Sequence, residues 1–127
     1  MKLFFPRLFF AAYGTGALTL AFFDYFFPQL VSTGTSWGPA PGWLREIAGF
    51  NIFVAILCFV SLRNFHRPTL PQTIAGALGV LSALLASNNM VAYLQGHLLP
   101  HFQAALTHMV GFFAALTTVT ILRKVPG

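Results

Sequence analysis

Four long apolar runs limit what this chain can become: residues 8–27, 44–62, 73–94 and 102–122. Each holds about 20 residues, which at ~1.5 Å rise per residue makes a rod of ~30 Å, the thickness of a bilayer's hydrocarbon. In lipid a backbone must satisfy its own hydrogen bonds or close a barrel, and these runs lack the alternation of barrel strands. The expectation is an all-α fold: one domain over residues 1–127, built as an integral membrane four-helix antiparallel bundle. Composition points the same way. Only 7% of residues are charged and 57% are apolar, whereas a soluble domain averages roughly a quarter charged.

The breaks between runs carry turn chemistry. Pro28, Gly34, Gly38, Pro39, Pro41 and Gly42 lie between the first two runs and read as a loop. Pro68 and Pro71 separate the second from the third, and Gly96 is the expected C-terminal cap of the third. The start, Met1-Lys2-Leu3-Phe4-Phe5, has the basic and apolar parts of a signal peptide. No small-x-small cleavage site follows, so it is read as a retained first span.

Lys and Arg then orient the spans. Lys2, Arg7, Arg63, Arg67, Arg123 and Lys124 flank one side and only Arg45 the other, which predicts both termini in the cytoplasm. For a bacterial host this is the inner membrane. Trp37, Trp43 and Tyr25 fall at the opposite boundary, where interfacial aromatics collect. The net charge of +5 therefore reads as membrane orientation and contact with anionic lipid headgroups, with no nucleic-acid partner.

Small residues mark where helices touch in lipid. Each run has one stripe of them at helical spacing: Gly14, Ala17, Ala21, Asp24; Ala48, Asn51, Ala55, Cys58; Ala75, Gly79, Ser82, Ala86, Asn89; and His101, Ala105, His108, Gly111, Ala115, Thr118. Every stripe includes a polar group. Asn51, Asn89 and His108 all fall roughly 8–10 Å beneath the outer surface at ~1.5 Å per residue, with Asp24 somewhat shallower. These four are the candidate ligand-binding residues. Arg45, Glu46, Tyr93, His97, His101 and Gln103 lie above them as a candidate outer mouth. Two readings stay open: a hydrogen-bonded network that glues the helices, or a small cavity for a ligand, proton or cofactor.

Specific chemistries find less support. Cys58 is the single cysteine, so no intrachain disulfide or Cys-based metal motif is available. His97 and His101 have a zinc-pair spacing, but Pro100 between them breaks the helix that would make it meaningful, and no metal is expected. Haem needs axial ligands from two spans, and His108 is the only histidine deep within one. A quinone-like ligand touching His108 and Asn89 is the remaining cofactor reading. Arg45 beside Glu46 reads as an interfacial ion pair of little energetic weight. Ser82, Ser87 and Thr107 lie in spans, and the expectation is that no strained Gly-x-Ser-x-Gly elbow occurs, hence no catalytic residue. Phenylalanine doublets such as Phe22-Phe23, Phe26-Phe27 and Phe112-Phe113 turn rings outward, toward lipid, a homo-oligomer or a larger membrane complex.

The segment Leu44-Arg45-Glu46-Ile47-Ala48-Gly49-Phe50-Asn51, with its apolar run ending in Leu62-Arg63, resembles the DoxX-like group of small four-helix membrane proteins. That resemblance implies a four-helix bundle with an accessory role in membrane redox or lipid-linked processes. The expected function is an accessory or assembly subunit, or a small-ligand binder, acting through the polar layer. The alternative is a quinone-binding subunit of a membrane oxidoreductase.

Overall fold

A computed structural model describes residues 3–36, 38 and 40–125. Among these the chain is helical, in the order α1 (Phe4–Phe26), α2 (Pro28–Ser32), α3 (Pro41–Arg63), α4 (Thr69–Gly96) and α5 (Leu99–Leu122). Three of them, α3, α4 and α5, are long and apolar enough to cross a membrane. The first helix equals α3 in length at 23 residues. It falls short of the others in hydropathy, because Arg7, Tyr13, Gly14, Thr15, Gly16, Thr19 and Asp24 dilute its apolar residues.

Proline explains where these helices start. A proline lacks the N–H that a helix's first turn leaves unused, and its fixed φ suits entry into the helix. Pro28 and Pro41 open α2 and α3, Pro100 is the second residue of α5, and Pro6 and Pro71 lie within the first turns of α1 and α4. Read as breakers, these residues delay the expected starts to positions 8, 73 and 102; as helix starters they admit three or four more residues at each. The expected loop after residue 27 likewise contains a short helix. Phe27, at φ −130° and ψ 48°, breaks the chain between α1 and α2.

The end of α4 also differs. Gly96 stays helical, and His97 takes the left-handed cap conformation, with φ 53° and its N–H donating to the Tyr93 carbonyl at 2.6 Å. Histidine is among the few L-residues that enter this region with any frequency.

Helix α1 packs along α3 and α4 along α5, while narrower contacts join α1 to α5 and α3 to α4. Both close pairs are antiparallel: Gly14 faces Cys58 while Asp24 reaches Asn51, and Gly79 faces Ala115 while Asn89 reaches His101. The expected stripes form these seams. Gly14, Ala17, Ala21, Asp24, Ala48, Ala55 and Cys58 are buried on the first pair, and Ala75, Gly79, Ser82, Ala86, Asn89, His101, Ala105, Ala115 and Thr118 on the second. Gly14 is required by its neighbour: a Cβ there would lie 2.9 Å from the Cβ of Cys58. The larger apolar side chains gather toward the end where α1 begins and α5 finishes. There Phe9, Phe10, Val54, Phe65, Ile74, Leu78 and Leu122 form a core spanning all four long helices. Phe10 meets Phe65 edge-on at 6.0 Å, and the Arg7 guanidinium lies 5.5 Å from the centre of the Phe65 ring.

Candidate functional site

At the opposite end small residues replace large ones, and the candidate polar groups are seated there. On the first pair of helices, the amide of Asn51 donates from Nδ2 to Asp24 Oδ2 at 3.1 Å. Asp24 is only 4% exposed, although it lies near the end of α1, on the seam where Ala21 and Ala48 are also buried. An ionised carboxylate can accept at about four lone-pair sites. Here it receives one hydrogen bond among the described residues. Asn51 is half-buried.

On the second pair, His101 is 1% exposed. Its Nδ1 lies 3.3 Å from Asn89 Oδ1, and its Nε2 lies 3.1 Å from the backbone nitrogen of Ser36 and 2.9 Å from Ser36 Oγ. The tautomer follows from these contacts. The Ser36 N–H can only donate, so Nε2 carries a lone pair; the ring proton is then on Nδ1 and donates to Asn89 Oδ1. Asn89 is held in turn by its Nδ2, which donates to the Leu85 carbonyl at 2.9 Å. The loop before α3 is thus tied to the first turn of α5 through a buried imidazole.

The expected layer therefore resolves into two hydrogen-bonded groups, one on each helix pair. His108 joins neither: it is half-buried and makes no side-chain hydrogen bond among the described residues. The histidine that meets Asn89 is His101, assigned from sequence to the outer mouth. Of the other mouth candidates, Tyr93 is half-buried and the rest sit at the surface. Arg45 lies 5.7 Å from the centre of the Tyr25 ring, a cation–π contact in place of the expected pairing with Glu46. Tyr93 packs against His97 at 5.8 Å and Phe102 at 5.1 Å. Glu46, His97 and Gln103 are exposed. His97 is exposed and His101 buried, and no group of three metal-ligating side chains forms among the described residues. An open hollow lined by His66, Arg67, Pro68, Thr69, Leu70 and Thr73 lies at the far end and shares no residue with either polar group.

Two contributors escape a reading based on stripes. Tyr13, one position before Gly14 on α1, shares a hydrogen bond with Ser82 of α4 at 2.9 Å, linking the two helix pairs. Ser36 lies in a loop, outside every span. Its signal was present in the residues: Gly34-Thr35-Ser36-Trp37-Gly38 has the Gly-x-Ser-x-Gly spacing, so the expectation that no such pattern occurs is corrected here. Gly34 and Gly38 both take positive φ, 77° and 66°. Trp37 itself lies outside the described residues. Compared with protein-family models, with curated proteins and with solved structures, the chain matches none.

Proposed function

We propose that the chain is a bacterial inner-membrane protein of four spans, α1, α3, α4 and α5, with both termini cytoplasmic and the DoxX-like architecture. In this reading it serves as an accessory subunit or small-ligand binder, and Asp24 with Asn51 receives the ligand or partner. The observation that carries the reading is the burial of a carboxylate with a single hydrogen-bond donor. Charge in an apolar setting is costly unless paired or hydrogen-bonded, and ionisable groups within a membrane mark functional sites. The unfilled acceptor capacity of Asp24 suits an incoming hydroxyl or ammonium group. The exposed aromatic cluster of Phe22, Phe23, Phe26 and Phe27 on the same stretch offers lipid or a partner subunit a surface beside it.

A quinone-like ligand is the second reading. It is favoured by His108, whose half-buried ring has no side-chain hydrogen bond among the described residues. A neutral imidazole can donate to a quinone carbonyl while a carboxylate accepts from the quinol hydroxyl. Purification from native membranes in mild detergent tests both, using the wild type and Asp24→Asn. That substitution removes the charge and keeps an oxygen for Asn51 to bond. The wild type is expected to retain a stoichiometric lipid-extractable molecule or a co-purifying chain, and the folded variant to lose it. Equal retention by a well-folded Asp24→Asn variant would remove Asp24 from the site. An extractable chromophore decides for the quinone, a co-purifying protein for the accessory role.

A further inference from the structure

Ser36, His101 and Asn89 form a chain of hydrogen bonds that neither reading above uses. The hydroxyl of Ser36 is within 2.9 Å of His101 Nε2, and Nδ1 of the same ring faces Asn89 Oδ1 at 3.3 Å. This is the order of a nucleophile, a base that can take its proton, and a third group that orients the base. Ser36 is exposed while His101 and Asn89 are buried, so the nucleophile can be reached and the groups behind it are held. The two glycines at positive φ turn the loop on either side of Ser36, and Gly34 lies against Pro100 at the start of α5, beside His101. We propose that Ser36, His101 and Asn89 cleave carboxylic esters of apolar acyl chains at the outer boundary of the membrane. The proposal is independent of the Asp24 reading, since neither Asp24, Asn51 nor His108 takes part.

The tautomer is the one the reaction needs. With the ring proton on Nδ1 and the lone pair on Nε2, His101 can accept the Ser36 proton as Oγ attacks the ester carbonyl. The backbone N–H of Ser36 points at the same lone pair from 3.1 Å. It holds the ring in register but has no proton to give up at neutral pH, so the hydroxyl is the donor that can transfer. In the first step the Oγ–carbon bond forms, Nε2 takes the hydroxyl proton, and the proton passes to the departing alcohol oxygen as the ester C–O bond breaks. Water then attacks the acyl-serine, His101 takes its proton and returns it to Oγ, and the carboxylic acid leaves. The balance is ester plus water to acid plus alcohol, with no other reactant. Asn89 acts as a positioning residue: its oxygen accepts from Nδ1–H, and its own amide is anchored on the Leu85 carbonyl.

The substrate class follows from the surroundings. Phe27 (48% exposed), Leu30 (64%), Trp43 (64%) and Leu99 (60%) are exposed on the helix ends that flank the loop and His101, which suits an acyl chain entering from the bilayer. The Gly-x-Ser-x-Gly spacing alone is weak here, because the serine sits between two helices and not on a strand-to-helix turn. The hydrogen-bonded side chains carry the argument, as the same constellation serves on unrelated folds.

The test uses the full chain in nanodiscs, an alkyl fluorophosphonate as covalent probe, and p-nitrophenyl butyrate and decanoate as substrates. The expected result is an adduct mapped to Ser36 and faster turnover of the decanoate. Ser36→Ala should abolish both signals, while Ser32→Ala, whose hydroxyl bonds only the Gln29 carbonyl, should leave both unchanged. His101→Gln should lower turnover by about 10²–10⁴-fold, the usual weight of a general base. Asn89→Leu should lower kcat with KM unchanged, and Asn89→Asp, which keeps the acceptor, should restore it. Replacing a buried histidine can unfold the chain, so the mapped adduct and Ser36→Ala decide. No adduct at Ser36 in folded wild type, or labelling that survives Ser36→Ala, overturns the proposal and leaves His101 as a pin between loop and helix. Turnover of the butyrate alone overturns the assignment of an apolar acyl chain.

Discussion

Gly14 and Gly16 are two residues apart on α1 and face opposite surroundings, which makes them a matched test of the α1–α3 seam. A Cβ at Gly14 would lie 2.9 Å from Cys58 Cβ and 3.4 Å from the Phe59 ring; at Gly16 it would meet nothing within 4 Å. Carbon pairs prefer ~3.5–4.0 Å, so the contact with Cys58 is short by about 0.6–1.1 Å. Cys58 Cβ is fixed to the backbone and fully buried, so the helices themselves must move apart. Overpacking of this kind costs about 1–3 kcal/mol. Both substitutions to Ala gain about 0.8–1 kcal/mol of helix propensity. Gly16→Ala should therefore stabilise by up to ~1 kcal/mol, and Gly14→Ala should range from neutral to ~2 kcal/mol destabilising. Their difference, about 1–3 kcal/mol, isolates the packing term. Equilibrium unfolding in mixed micelles, followed by loss of helical circular dichroism, measures it. If Gly14→Ala proves as stabilising as Gly16→Ala, α1 does not approach α3 through this glycine and the seam is misassigned.

Three further outcomes follow from the same packing. Tyr13→Phe removes the hydrogen bond that links α1 to α4 and should cost about 0.6 kcal/mol, at most ~2, by the same unfolding assay; a larger loss would mean the ring packing had changed as well. Thr118 Oγ1 is a buried oxygen without a hydrogen-bond partner among the described residues. Thr118→Val, which keeps the shape and removes the orphan hydroxyl, should raise stability by roughly 1 kcal/mol; a fall would mean that the hydroxyl has a partner. His97→Gly relieves the left-handed cap at φ 53° and should stabilise by up to ~1 kcal/mol. A destabilised variant would show that the Tyr93–His97 edge contact outweighs the backbone gain.

The long helices and their inward faces were legible in the residues, because both follow from short-range periodicity. Small residues at helical spacing mark the close approach of neighbours, and 16 of the 19 stripe residues are buried, Gly14 and Ala115 among them. Helix starts were less legible, since proline both breaks a helix interior and opens a first turn, and only the surrounding backbone distinguishes the two. Asp24 and Asn89 were legible as inward-facing polar groups, but their partners were not, and the expected common depth of Asn89 and His108 is not what brings a histidine to Asn89.

Which polar groups meet was decided by tertiary structure. Residues 89 and 108 lie on adjacent helices at similar expected depth, yet Asn89 bonds His101, because α5 starts at Leu99 and brings position 101 level with it. Ser36 reaches that ring across 65 positions of sequence, and Tyr13 reaches Ser82 across 69. Periodicity within one helix determines which face is turned inward. The rotation and height of one helix against another, and the path of the loop between them, determine which atoms lie within 3 Å of each other, and those arise from packing the whole chain at once.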